Sequence, residues 1–261
     1  MGWNPFRRAP LLHVARDEGT GPVVVFLHGI ASSSITWNFV LPRLEGRYRC
    51  ICIDILGFGD SPMPENAEYT LGEHVAAVQR TIDSLRLRQP FVLVGHSMGA
   101  LIAARYAARN PRRVSRLVLV SPPIYVHPDA LSDDRDRLVQ DFYLKAYRFI
   151  RENRDFTLRN GAVVGRLLEI PRAMDINERT WVPFVKSLEH TIESQTTISD
   201  LAALRVPVEI VTGVLDEFSS PGGIRIAERL RGVTVTRVPV ADHLIGKRLS
   251  RAVAAAIDDD D

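Results

Sequence analysis

Short apolar runs recur along the chain at 23–27, 48–53, 91–94, 114–120, 206–212 and 233–238, separated by turn residues and amphipathic stretches. The clearest, Val23-Val24-Val25-Phe26-Leu27, is apolar throughout, which predicts a strand covered on both faces. A further strand is predicted over 11–15, before the turn Asp17-Glu18-Gly19-Thr20-Gly21. Helices are predicted between the runs. One lies around 37–44. Another follows Thr70, where Glu73 three residues on completes a capping box and Val75, Val78, Ile82 and Leu85 share a face. Others cover 100–109, stopped by Asn110-Pro111, then 223–231 and a last stretch to about residue 257. Strands alternating with helices predict an α/β fold: a mostly parallel sheet with helices on both faces.

The alternation is interrupted once. From about 130 to 201 no strand signal occurs. Over 133–151, Leu138, Phe142, Ala146 and Phe149 recur at helical spacing, with Tyr143 and Tyr147 alongside. Such a stripe predicts either packing on a neighbouring helix or an apolar wall over a pocket. The simplest architecture is a core of 1–121 and 201–261 carrying a helical lid inserted at 122–200.

The run at 91–94 leads into Gly95-His96-Ser97-Met98-Gly99 and then a helix. A strand–turn–helix of the form G-x-S-x-G places Ser97 at the apex of a turn too sharp for relaxed backbone, with its hydroxyl clear of the sheet. Gly95 and Gly99 leave room for close backbone approach. A serine needs a base near neutral pH. Among seven histidines, His13 falls in a strand, His74 in a helix, and His127 and His190 in the insert. His96 adjoins Ser97 and diverges from it. His28 and His243 lie at carboxyl ends of strands, where active groups of an open parallel sheet collect. His243, in a loop free to reach across, is the predicted base, and His28 a support. Asp216, after the penultimate strand, is the predicted orienting acid, with Glu217 as the fallback. An oxyanion would be held by backbone N–H groups of Met98 and of Ile30, the latter following His28-Gly29.

Charge and composition narrow the partners. A formal net charge of +2 gives no sign of a nucleic-acid surface, and 46% hydrophobic content supports a large core. No apolar run reaches the roughly 18 residues of a membrane span, and the first residues lack a signal-peptide core. Two cysteines, Cys50 and Cys52, sit two apart on a strand, poorly placed for a disulfide and without companions for a metal site. Gly57-x-Gly59 after the strand at 48–53 lacks the third glycine of a dinucleotide fingerprint, Pro62 standing there instead. The expectation is a cytoplasmic protein that takes a small apolar substrate, with no metal, no nucleic acid and no membrane span; its oligomeric state is not legible.

His28-Gly29, Asp54-x-x-Gly57-x-Gly59-x-Ser61, Gly95-His96-Ser97-Met98-Gly99, Gly213-x-x-Asp216 and His243, in this order, resemble the α/β-hydrolase fold family across essentially the full chain. The resemblance implies a triad of Ser97, Asp216 and His243, no cofactor, and a helical lid at about 122–200. Serine at the elbow separates the chain from the haloalkane dehalogenase and epoxide hydrolase branches, which use aspartate there. Two positions depart from the pattern. Asp242 stands where relatives often have glycine. Leu244 stands where the family's carbon–carbon bond hydrolases usually place tryptophan. The N-terminal strands look abbreviated, as if the sheet lacked an edge strand. The expected activity is hydrolysis of small-to-medium apolar carboxylic esters through an acyl-enzyme on Ser97, with Phe142, Tyr143, Tyr147 and Trp181 lining the substrate pocket. The alternatives are hydrolysis of a carbon–carbon bond in a diketone-like ring-cleavage product, with Arg172 or Arg179 binding a carboxylate, and ligand binding without catalysis.

Overall fold

Consecutive side chains of a strand point to opposite faces of its sheet, so a run apolar throughout needs cover on both. The computed structural model of the chain, which describes residues 8–167, 176–194 and 196–258, shows that cover. Seven strands, β1 (Val14–Glu18), β2 (Val23–Leu27), β3 (Arg49–Ile53), β4 (Phe91–His96), β5 (Val114–Val120), β6 (Val208–Gly213) and β7 (Val233–Val238), form one sheet in the order β1-β3-β2-β4-β5-β6-β7. All neighbours are parallel except β1, which pairs antiparallel with β3. Val25, Leu27, Ile51, Ile53, Leu93, Leu117 and Leu119 join a core on one face with α1 (Leu71–Ser84) and α2 (Met98–Arg109). Val24, Phe26, Cys50, Cys52, Val94, Val118 and Val120 join the other, beneath Trp37 and α8 (Lys247–Asp258). Both cysteines are free and buried, and burial pushes the Cys50 thiol up to about 11.

Two local expectations are corrected. The first strand runs over Val14–Glu18 instead of 11–15. At a sheet edge, cross-strand partners outweigh apolar character. Asp17 takes two 2.7 Å hydrogen bonds from the Arg49 guanidinium on β3, whereas Leu11 is 48% exposed. The helix expected over 37–44 is two single 3₁₀ turns, Ser34–Trp37 and Leu41–Arg43. Pro42 has no N–H to offer the Asn38 carbonyl, so an α-helix through it would lose a bond.

The capping box is present: the Glu73 N–H donates to Thr70 Oγ1 at 3.2 Å and the Thr70 N–H to Glu73 Oε2 at 2.9 Å. Thr70→Ala should therefore lower unfolding free energy by about 1 kcal/mol. A urea midpoint equal to that of the parent protein would contradict this.

Between β5 and β6 every regular element among the described residues is helical: a 3₁₀ turn over Pro128–Ala130, α3 (Asp134–Glu152), α4 (Arg154–Leu167), α5 (Trp181–Ser187), a π turn over Leu188–Ile192 and α6 (Thr197–Ala203). On α3 the stripe expected to pack is turned outward, with Leu138, Phe142 and Phe149 at 70%, 67% and 51% exposure. The inward face carries Asp136, Gln140 and Tyr147. Each polar group there has a partner. Gln140 accepts from the Val126 N–H at 3.0 Å and donates to its carbonyl at 2.6 Å; Asp136 pairs with Arg225 on α7 (Pro221–Glu228). Matching these buried polar groups sets the rotation of the helix, overriding its apolar period.

Candidate active site

Ser97 stands between β4 and α2 with φ 53° and ψ −123°, a conformation a non-glycine residue holds only where its surroundings enforce it. The enforcement is visible. Its N–H donates to the Val120 carbonyl at 2.9 Å, its own carbonyl accepts from the Ala100 N–H at 2.9 Å, and Gly95 and Gly99 abut across the turn. A Cβ on Gly95 would lie 2.4 Å from the Gly99 oxygen. The loop after β2 closes on the elbow, so that a Cβ on Gly29 would lie 2.9 Å from Ser97 Cβ. No other residue fits at either position without displacing backbone or the serine itself.

His28 anchors that second loop. Its Nδ1 lies 2.8 Å from the Gly29 carbonyl and its Nε2 accepts from the Ile55 N–H at 3.0 Å. A carbonyl only accepts, so the proton is on Nδ1, and both ring nitrogens are used. The bond holds the Gly29–Ile30 peptide. In a trans peptide the N–H opposes the carbonyl, so the Ile30 N–H points away from the His28 ring. Met98, fully buried, opens α2 directly after Ser97.

Asp216 and His243 come from the loops after β6 and β7, which are joined by backbone bonds from the Val214 N–H to the Val238 carbonyl and from the Leu215 N–H to the Ala241 carbonyl. His243 Nδ1 is 2.8 Å from Asp216 Oδ1. The carboxylate also accepts from the Phe218 N–H at 3.0 Å and the Ser219 hydroxyl at 2.7 Å. Burial alone would raise its pKa. The facing imidazole, with the Ser219 hydroxyl, outweighs that and holds it well below the usual carboxylate range. An ionised Asp216 accepting from Nδ1–H leaves Nε2 of neutral His243 as an acceptor. Glu217, the fallback, is exposed.

His96 joins the pair to the elbow. Its Nε2 donates to the His243 carbonyl at 2.9 Å, and the two rings are 5.0 Å apart. On the far side the Phe218 ring stands edge-on to His243 at 4.9 Å. Asp242 is turned away to accept from the Leu244 N–H at 3.0 Å.

The residues expected around a pocket divide. Tyr147 is buried, with its hydroxyl 2.9 Å from that of Tyr125, and Tyr143 is half-buried 6.5 Å from the Tyr125 ring. Trp181 packs on Phe184 at 6.0 Å, partly covered. Phe142 lies on the outer face of α3. Arg179 is exposed and donates to the Gly59 carbonyl at 3.2 Å; Arg172 lies outside the described residues. Sequence reasoning missed Tyr125, Phe218 and Ser219. Only Ser219 and Ser220, ahead of Pro221, carried a signal: a helix start, which Ser220 caps by accepting from the Gly223 N–H at 3.2 Å.

The loop with Gly57 and Gly59 folds onto Asp54, whose carboxylate accepts from the Ser34 N–H at 2.8 Å and the Asp60 N–H at 3.0 Å. With His13 and Asp60, Asp54 forms the group of potential metal-ligating side chains found among the described residues. No described helix is long and apolar enough to cross a membrane.

His74 and His96 are fully enclosed, and burial pushes each down to about 3. An unfolded chain protonates them near 6.5. The stability tied to their neutrality is therefore intact above about pH 6.5 and lost as pH falls toward 3. The urea midpoint should fall on acidification from pH 7 to 4, and less steeply in His74→Gln. Equal slopes for the two proteins would contradict the assignment.

The fold has counterparts among known proteins. A family model described as alpha/beta hydrolase fold matches residues 22–162. An Arabidopsis thaliana protein described as probable lysophospholipase BODYGUARD 1 is 37% identical over 110 residues, 40% of this chain but only 24% of that protein's length. Among solved structures, E-2-(acetamidomethylene)succinate hydrolase superposes with a TM-score of 0.70 at 24% identity, over 94% of both chains. Haloalkane dehalogenase DbeA from Bradyrhizobium elkani superposes with a TM-score of 0.73 at 22% identity, over 93% of this chain and 92% of its own. At these identities the structures share the fold alone. With more than half its length matched by the family model, the chain belongs to the α/β-hydrolase fold family.

Proposed function

We propose that this α/β-hydrolase cleaves small-to-medium apolar carboxylic esters through an acyl-enzyme on Ser97. The observation that carries the reading is the buried Asp216–His243 pair, 2.8 Å apart and bonded to His96, the last residue of β4 before Ser97. In the proposed cycle the Ser97 hydroxyl oxygen attacks the ester carbonyl carbon while His243 Nε2 takes its proton. Asp216 fixes the His243 tautomer and stabilises the imidazolium. The Ile30 and Met98 N–H groups hold the oxyanion, with His28 and Gly29 supporting the first of these. Collapse expels the alcohol, which takes the proton from His243, and water then releases the acid by the same route in reverse. No cofactor enters.

Residues 122–200 would serve as a lid over the core of 1–121 and 201–261. Tyr143 and Trp181 would face the substrate; Phe142 is withdrawn from that set by its exposure and Tyr147 by its burial against Tyr125. Likeness to a protein described as a probable lysophospholipase supports an acyl ester as the bond cleaved. Serine at the elbow separates the chemistry from that of dehalogenases. Carbon–carbon cleavage loses support, because Arg179 is engaged with the Gly59 carbonyl and Leu244 replaces the usual tryptophan.

The test is a chain-length series of p-nitrophenyl esters, run on the parent protein beside Ser97→Ala. Turnover peaking at one acyl length and lost in the variant is expected. Turnover of a vinylogous keto acid with no ester cleavage would overturn the choice of bond.

A further inference from the structure

Just beyond the Asp216–His243 pair, the structure contains a relay of hydroxyl groups that the triad chemistry leaves unused. Tyr125, in the segment leaving β5, donates its hydroxyl proton to the Phe218 carbonyl at 3.0 Å. A carbonyl cannot donate, so that bond consumes the only Tyr125 proton, and the 2.9 Å contact with Tyr147 must be a donation from Tyr147 to Tyr125. The chain of bonds therefore has a direction: from Tyr147 on α3, to Tyr125, to the Phe218 carbonyl. Phe218 is the residue whose N–H binds Asp216 Oδ1 and whose ring stands edge-on to His243 at 4.9 Å. A shift of Phe218 would loosen the acid and unseat the imidazole together.

The surroundings keep the relay rigid. Tyr125 and Tyr147 are each only 7% exposed. Gln140 on α3 grips both backbone groups of Val126, the residue after Tyr125. Asp136 on the same helix pairs with Arg225 of α7, which follows the Asp216 loop. Helix α3 is thus tied to both ends of the arrangement. Two buried tyrosines are costly to enclose unless their hydroxyls are used, and here Tyr147 donates to Tyr125 and Tyr125 to a backbone carbonyl.

We propose that Tyr125, seated by Tyr147, is a positioning residue that fixes the Asp216 loop and through it His243, so that insert helix α3 sets the alignment of the triad. This rests on the assignment of Ser97, Asp216 and His243 above. Tyr125 touches neither the nucleophile nor, on this view, the substrate. Its effect belongs in the proton-transfer step and not in binding.

The experiment compares the parent protein, Tyr125→Phe, Tyr147→Phe, the double variant and Ser97→Ala on the best p-nitrophenyl ester. It is run at a temperature where circular dichroism shows every protein fully folded. Removing one buried hydroxyl should lower kcat about three- to tenfold, with KM little changed. The rate of Ser97 labelling by a fluorophosphonate, which needs the same activated serine, should fall by the same factor. Tyr147→Phe should cost less than Tyr125→Phe, and the double variant no more than Tyr125→Phe alone, because Tyr147 acts through Tyr125. A Tyr125→Phe protein with unchanged kcat and labelling rate, beside a dead Ser97→Ala, would overturn the relay and leave the triad standing. Additive losses in the double variant, or a change confined to KM, would overturn it too. An active Ser97→Ala would remove the triad and the relay together.

Discussion

Replacing Ser97 with alanine should lower kcat for ester hydrolysis by on the order of 10⁶, leaving only what the oxyanion donors and binding provide. The loss is large because no neighbouring group can take over. His96, which meets the pair, is committed to a backbone contact: it donates to the His243 carbonyl, and its pKa is pushed down to about 3 by burial. The variant should fold as the parent does. Alanine keeps the Cβ that Gly29 packs against, and the bonds at the apex are made by Ser97 backbone atoms. Ester turnover within tenfold of the parent, at matched thermal stability, would contradict the assignment.

Asp216→Asn should cost on the order of 10⁴ in kcat. An amide can still accept from the Phe218 N–H, so the loop keeps much of its shape. The charge that balances the imidazolium is gone, however, so His243 takes the Ser97 proton far less readily. KM should change little, since Asp216 lies behind His243 with its side chain 1% exposed. A loss below tenfold at pH 7 would mean that Asp216 is structural. Glu217 would then be an unattractive substitute, being exposed.

Much of this arrangement was legible in the sequence, and the reason is physical. Inner strands such as β2 and β5 are apolar on both faces because both faces are covered, so composition alone marks them. The elbow reads clearly because Gly95 and Gly99 meet backbone at contact distance, leaving no choice of residue. Asp216 and His243 stand at carboxyl ends of neighbouring strands, where topology converges.

What failed to read did so where the deciding partner is remote in sequence. The rotation of α3 depends on Gln140 meeting Val126 and Asp136 meeting Arg225, pairs invisible to any local period. Its apolar stripe therefore pointed the wrong way, and Phe142 with it. The start of β1 depends on Arg49 across the ladder. Tyr125 had no signature at all. Its meaning lies in a carbonyl 93 positions away.

The most direct test of the central claim is covalent. The intact protein is incubated with a fluorophosphonate at neutral pH, the adduct weighed, and the modified peptide sequenced by mass spectrometry. The account predicts one adduct per chain, on Ser97, absent in Ser97→Ala and formed far more slowly in His243→Ala. A protein that cleaves esters yet gains no adduct, or carries it on any residue other than Ser97, would contradict the account.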